Sequence, residues 1–222
     1  IQEEMADLRR AAVPVVVAVS GRTSGFGLTL ALAAEGVQAH VECGVGFDDV
    51  PGGWIPVGGG LSEIARRVVA DLPESADPLP ALEMRFHALM AGRFTANAFE
   101  ARQAGLLRLR DGITMNPDRL LADAKALALE RSRTRLSPDA PGDRVPVLGL
   151  PGLARLKLNL YLMREAAAVD DAVAAAGLQL ATVLCGGGVS GPQQVPRSYF
   201  MGLEIEAFLA LCRMKRTRGS HA

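Results

Sequence analysis

The stretch "AVSGRTSGFGLTLALAAEG", residues 18–36, decides the fold because it joins a buried strand to a helix through a glycine turn. Residues 15–19, which overlap the start of this stretch, are apolar and mostly β-branched, which is typical of a buried parallel strand. Residues 31–35 continue the helix, and Gly36 ends it. Such a turn presents backbone N–H groups that can receive either a dinucleotide pyrophosphate or the carbonyl oxygen of a thioester.

The next stretch, "GFDDVPGGWIPVGGG" at residues 46–60, separates these two chemistries. A dinucleotide-binding domain needs another strand-helix-strand cycle there, but the segment holds six glycines and two prolines. It is therefore predicted to be a long loop, with Gly58–Gly60 forming a tight turn before a helix.

The rest of the chain is predicted to be mainly helical. Proline and glycine breaks fall at 73–80 and within 133–150, and the last seventy residues have apolar positions at helical spacing. A short helix is expected after Thr95, which would cap it, and Gly105 would end it. Strands are predicted at 15–19, 37–45 and 106–110, and helices within 1–12 and at 62–70, 81–90, 117–131, 153–165, 169–184 and 197–213.

Composition narrows the function classes. The 222 residues carry 24 basic and 24 acidic side chains, so no net charge favours nucleic acid or an anionic membrane. No apolar stretch is long enough for a membrane span, and acidic residues near the start argue against a signal peptide. The three cysteines, Cys43, Cys185 and Cys212, have neither disulfide-framework nor zinc-site spacing, which favours reduced thiols and a cytoplasmic location.

Five motifs together resemble a known family. They are "VPVVVAVSGRTSGFGL", "WIPVGGGLSEIA", "FTANAFEARQAGLL", "DGITMNPDRLLADAKALAL" and "VLCGG". In this order they resemble the crotonase (enoyl-CoA hydratase/isomerase) superfamily, and most closely the C-terminal hydratase-like part of the bacterial 3-hydroxyacyl-CoA dehydrogenases of fatty-acid β-oxidation. The resemblance implies an α/β fold: a truncated crotonase-like ββα spiral over 1–132 with its N-terminal strands missing, a linker at 133–150, and a helical C-terminal region at 151–222.

The resemblance also implies an oxyanion hole for a thioester. One hydrogen-bond donor falls on the backbone N–H of Phe26, between Gly25 and Gly27, which would lie along the substrate. The second donor comes from a family segment that would precede residue 1. The glycine-rich loop adds Pro56, together with Gly58 and Gly59, as implied substrate-binding residues.

The family's two catalytic glutamates fall on other residues in this chain. One position is occupied by Thr29, which cannot titrate in the useful range, and the other by Asp49, which is one methylene shorter than glutamate. Without the resemblance, a threonine in the first turn of a helix is typically an exposed or capping residue. We therefore expect a segment that binds acyl-CoA thioesters but is impaired or inactive as a hydratase on its own.

Two alternatives stay open. The G-x-x-x-G-x-G spacing at 21–27 also matches NAD(P)-binding short-chain dehydrogenases. Their Tyr-x-x-x-Lys pair is not found, because the residue four positions after Tyr161 is Glu165 and the residue four positions after Tyr199 is Leu203. The other alternative is a non-catalytic structural module.

The resemblance further implies an acyl-CoA thioester as partner, a homo-oligomer and a possible dehydrogenase domain. No metal and no cofactor are expected in this segment, and NAD would be bound only if a dehydrogenase domain lies upstream.

Overall fold

The computed structural model describes residues 5, 7, 8, 11–70, 72, 73, 75–134 and 144–219. The chain divides into two compact units that alternate along the sequence. The first comprises residues 1–47, 58–60 and 94–143, and the second comprises 48–57, 61–93 and 144–222. This division differs from the three consecutive segments predicted from the sequence, because the glycine-rich loop and the two helices after it group mainly with the C-terminal helices.

The first unit contains a three-stranded parallel sheet. Its strands are β1 (Val16–Val19), β3 (Gly36–His40) and β5 (Gly112–Thr114), in the order β1-β3-β5. Val16 lies opposite Gly36, and Gln38 opposite Gly112. Every residue of β3 is buried, as expected for the central strand of a parallel sheet covered on both faces.

A second parallel pair, β2 (Arg22–Thr23) with β4 (Gly44–Val45), forms a separate two-stranded sheet in the same unit. The first two turns of the chain, β1-β2 and β3-β4, each contribute one strand to each sheet before a helix follows, and the third turn contributes β5 to the three-stranded sheet. The first such helix is α1 (Gly25–Ala33). This repeated ββα path is the spiral that the sequence predicted.

The remaining elements of the first unit are the short helix α4 (Ala98–Gln103), a 3-10 turn (Pro117–Arg119) and α5 (Leu120–Thr134). Helix α5 packs on β1 and β3.

The second unit is mainly helical. It contains α2, which begins at the boundary between the units (Gly60–Ala70), α3 (Leu79–Met90), α6 (Gly149–Glu165), α7 (Asp171–Leu184) and α8 (Arg197–Gly219). A two-stranded antiparallel sheet joins β6 (Arg144–Val147) to β7 (Gln193–Pro196). Helix α7 packs against α3, α6 and α8, so it forms the centre of this unit. The predicted α/β class with a helical C-terminal region is confirmed.

Several local predictions were wrong. No strand forms at 106–110; the strand is Gly112–Thr114, after a turn in which the Asp111 carboxylate accepts a hydrogen bond from the Arg108 N–H. Asn97, not Thr95, caps the short helix, and its side chain accepts from the Glu100 N–H. The hydroxyl of Thr95 instead accepts from a strand N–H, that of Val45.

The other differences are smaller. The predicted strand at 37–45 is two strands, β3 and β4, separated by a turn at 41–43, and the predicted linker at 133–150 contains strand β6. The predicted helix within 1–12 lies mostly outside the described residues. Among the helices that the structure describes, none is both long enough and apolar enough to cross a membrane.

Candidate functional site

The first glycine turn leaves the N-terminus of α1 open. Gly25 has a backbone φ of +50°, which residues other than glycine rarely adopt. Ser24 precedes the helix, but its side chain makes no capping hydrogen bond. The backbone N–H groups of Gly25, Phe26 and Gly27 have no acceptor among the described parts of the chain. These three donors carry the partial positive charge of the helix end, so together they can bind one oxygen.

Phe26 contributes its backbone here and not its ring. The side chain is 50% exposed, so it is not part of the core. A substitution at this position therefore changes the turn without removing packing from the interior.

Thr29 lies one turn further along α1 and is fully buried, with 0% of its surface exposed. Its hydroxyl has no hydrogen-bond partner among the residues with described positions. The residue is thus neither the exposed nor the capping threonine that its place in a first turn would suggest. A buried hydroxyl without a partner costs stability, so this position is a strained feature of the helix.

The second glycine turn meets α1 at Thr29. A Cβ placed on Gly60 would lie 2.8 Å from the Thr29 Oγ1 and 3.2 Å from the Phe47 Cζ, so only glycine fits there without movement. Gly58 and Gly59 both have a φ of +93°, which allows the backbone to turn sharply into α2. The structure therefore brings Gly60 of the second turn against Thr29 of α1 within the first unit, whereas the predicted Pro56 belongs to the second unit.

Sequence reasoning did not single out Gly60 or Phe47 as parts of this contact. The third glycine of "VGGG" was the available signal, since a tight turn alone needs fewer than three glycines in a row. Phe47 carried no recognisable signal, because one aromatic residue in a loop has many possible partners.

Thr29 can donate or accept one hydrogen bond but cannot serve as a general acid or base near neutral pH. The side chain is also fully buried, so this hydroxyl is closed off from solvent and from a ligand in solution. The catalytic role implied for this position is not available to the side chain that occupies it.

Thr29→Val tests whether the Thr29 hydroxyl lacks a hydrogen-bond partner. Valine keeps the shape and removes the unpartnered group, so we expect the free energy of unfolding to rise by about 1 kcal/mol. The measurement is urea denaturation. Thr182→Val is the matched control, because the Thr182 hydroxyl donates to the Leu178 carbonyl at 2.8 Å, and we expect no gain there. A loss of stability in Thr29→Val would show that the hydroxyl has a partner.

Asp49 occupies the other implied catalytic position and lies in the second unit, in the loop that also contains the buried Pro56. Its Oδ2 is buried and has no partner among the residues described. Burial raises the pKa of Asp49, the neighbouring Asp48 carboxylate adds to the rise, and a backbone hydrogen bond opposes it. Asp49 is thus the titratable group of the two positions, and its proton affinity is increased as in many acid–base residues.

The two buried cysteines are poor candidates for a nucleophile. Cys43 and Cys185 are fully buried, and desolvation raises the pKa of Cys185 to about 12, so its thiol stays protonated and is a poor nucleophile. Within the described ranges, no three side chains of histidine, cysteine, aspartate or glutamate are grouped so that they could hold a metal ion.

Comparison with known proteins identifies one curated relative. A protein of Bacillus subtilis (strain 168) named "Probable 3-hydroxyacyl-CoA dehydrogenase" is 34% identical over 210 residues. The match covers 95% of this chain and 26% of the relative, so the chain spans about a quarter of the length of that protein. No protein-family model matches the chain.

Solved structures give weaker similarities. An enoyl-CoA hydratase/isomerase from Cupriavidus metallidurans CH34 is 18% identical with a TM-score of 0.49, over 98% of this chain and 59% of that one. An enoyl-CoA hydratase from Bacillus anthracis is 21% identical with a TM-score of 0.47, over 82% of this chain and 57% of that one. The curated relative confirms the resemblance drawn from the motifs: the chain is similar, over nearly its whole length, to one part of a bacterial 3-hydroxyacyl-CoA dehydrogenase.

Proposed function

We propose that this chain binds acyl-CoA thioesters, with the thioester carbonyl oxygen at the N–H groups that begin α1. The observation that carries the proposal is the open helix end at Gly25–Gly27, where three backbone donors have no acceptor among the described residues. Such donors stabilise the negative charge that develops on a thioester oxygen when an enolate forms. The name of the curated relative, a dehydrogenase of 3-hydroxyacyl-CoA, supports a CoA thioester as the ligand class.

We further propose that the chain alone hydrates enoyl-CoA esters poorly or not at all. Hydration in this superfamily needs one group to activate water and one to protonate the substrate carbon. Thr29 cannot take either part, and Asp49 is the titratable group left at the two implied positions.

Dehydrogenation, as in the relative's name, is a proposal for a longer protein and not for this chain alone. The segment needs no cofactor in our proposal, and NAD would be bound by a separate dehydrogenase domain. We also propose a homo-oligomer in the cytoplasm, where the thiols of Cys43 and Cys185 stay reduced.

Phe26→Pro is the sharpest test of the thioester site, because proline removes one N–H while the first turn of a helix tolerates it. Phe26→Ala is the matched control, since it loses the same ring and keeps the N–H. We expect Phe26→Pro to bind acetoacetyl-CoA about tenfold more weakly than Phe26→Ala, the effect of one hydrogen bond to a polarised oxygen. The measurement is a calorimetric titration.

Parallel titrations with CoA and with NAD complete the experiment. Weak binding of CoA and stronger binding of acetoacetyl-CoA would assign the difference to the acyl group. Equal affinity of the two Phe26 variants would contradict the role of the N–H. A folded wild-type chain that binds NAD and no thioester would replace this proposal by the dinucleotide-binding alternative.

A further inference from the structure

The loop that carries Asp49 is held together by its own backbone. This segment, residues 48–57, contains no helix or strand and is called here the Asp49 loop. The Asp49 carbonyl accepts hydrogen bonds from the N–H groups of Gly52 and Trp54, both at 3.0 Å. The position of Trp54 and the backbone of Asp49 are therefore directly coupled.

Helix α8 contacts the same loop through two of its side chains, those of Phe208 and Lys215. The Trp54 ring lies against the Phe208 ring, with centroids 5.4 Å apart. The Lys215 ammonium lies 3.6 Å from the centroid of the Trp54 ring and donates a hydrogen bond to the Gly52 carbonyl at 2.9 Å. One lysine thus contacts both residues whose N–H groups bind the Asp49 carbonyl.

Gly53 leaves room for the Lys215 side chain beside the loop. Gly53 has a φ of +74°, and a Cβ there would lie 3.5 Å from the Lys215 Cε and Nζ. On another side, Pro51 packs so tightly against the end of α3 that a Cβ on Gly92 would lie 2.7 Å from its Cγ. The loop is therefore fixed by helices that come later in the chain, which explains why it groups with the second unit.

We propose that Lys215 is a positioning residue that holds the Asp49 loop, and with it the Asp49 carboxyl group, in the partly buried arrangement. The lysine does not act on substrate. It acts through Trp54 and Gly52, because a cation over an aromatic ring and a charged hydrogen bond close the loop at the two points that bind Asp49. We call the contacts of Lys215 with Trp54 and Gly52 the Lys215 clamp. The effect of this clamp on catalysis rests on the proposed function of Asp49, whereas its effect on the position of the loop does not.

Lys215→Met tests the clamp because methionine keeps an unbranched apolar side chain and loses the ammonium. Trp54 is the one tryptophan of the chain, so its fluorescence reports this loop alone. A cation–π contact near the surface changes an equilibrium constant by about two- to fivefold, so we expect the open fraction of the loop to rise by about that factor and acrylamide quenching of Trp54 to increase with it. Lys215→Arg keeps the cation and the donor and should restore the wild-type value.

Lys157→Met is the control, since this exposed lysine of α6 makes no hydrogen bond, ion pair or aromatic contact with the described residues. The second readout is the titration of the Asp49 carboxyl by ¹³C NMR, assigned with Asp49→Asn. In Lys215→Met the opened loop lets water reach the carboxyl, so its titration midpoint falls toward that of an ordinary aspartate. A purely stabilising lysine would lower the melting temperature and leave this midpoint unchanged.

Unchanged quenching or an unchanged midpoint in Lys215→Met would overturn the inference. Neither measurement needs a thioester ligand, so both remain decisive if the chain fails to bind acetoacetyl-CoA. Conversely, the wild-type chain could bind acetoacetyl-CoA while Lys215→Met shows the wild-type quenching of Trp54. That result would support the proposed function and contradict the role of Lys215.

Discussion

Asp111→Ala is expected to lower the free energy of unfolding by about 2–5 kcal/mol, because two backbone donors lose their acceptor. Asp111 is 3% exposed. One carboxylate oxygen accepts from the Val37 N–H at 3.1 Å, and the other from the Arg108 N–H at 2.7 Å. Alanine leaves both donors without this partner in a part of the fold that water reaches poorly. The carboxylate therefore ties the central strand β3 to the turn that precedes β5.

The same turn also fixes the end of α1. The Arg108 guanidinium donates to the carbonyl oxygens of Leu32, Ala34 and Glu35, which are left over where the helix ends. The loss of Asp111 thus disturbs the helix whose other end is the proposed thioester site. We expect acetoacetyl-CoA binding to weaken along with stability.

Urea unfolding measures this loss. Asp111→Asn keeps one oxygen acceptor and should lose less stability than Asp111→Ala. Asp118→Ala is the control, since Asp118 is exposed and its carboxylate makes no hydrogen bond or ion pair with the described residues. This variant should stay within about 0.5 kcal/mol of wild type. If Asp111→Ala were as stable as this control, the turn would not hold the sheet.

The position of β5 shows where sequence reasoning reached its limit. A strand was predicted at 15–19, and found at Val16–Val19, because a continuous β-branched run is a local signal. Residues 106–110 also contain apolar side chains, but they form a turn because Asp111 accepts from the Arg108 N–H and directs the chain toward β3. That bond depends on Val37, 74 residues away, which also donates to Asp111, and no local pattern carries such information.

The candidate site divides in the same way. The glycines of both turns could be located from the sequence, because residues with a positive φ are usually glycine, whereas the role of the Phe26 N–H was implied by the family resemblance and stays a prediction. The burial of Thr29 against Gly60 and the contact of Lys215 with Trp54 join residues far apart in the chain. Such contacts depend on how the elements pack, and the sequence alone did not indicate them.

Gly60→Ala is expected to lower the free energy of unfolding by about 1–3 kcal/mol, as overpacking typically does. The added methyl group would lie 2.8 Å from the Thr29 Oγ1 and 3.2 Å from the Phe47 ring. Without this clash alanine would favour the helix that begins there, because it is a better helix former than glycine. Gly202→Ala shows that opposite effect: it lies within α8 with nothing within 4 Å of its Cβ, so we expect a gain of about 0.5–1 kcal/mol.

Thr29→Ala in the Gly60→Ala background decides whether the two turns meet as described. Removing Oγ1 makes room for the new methyl group, so the double variant should recover most of the lost stability in urea unfolding. Thr29→Ser keeps the oxygen and should recover little. The coupling between the two positions, measured by the double-mutant cycle, is zero if Thr29 and Gly60 are not in contact. A clear coupling would establish that the second glycine turn packs against the helix that carries the proposed thioester donors, and that this contact is made through the Thr29 side chain.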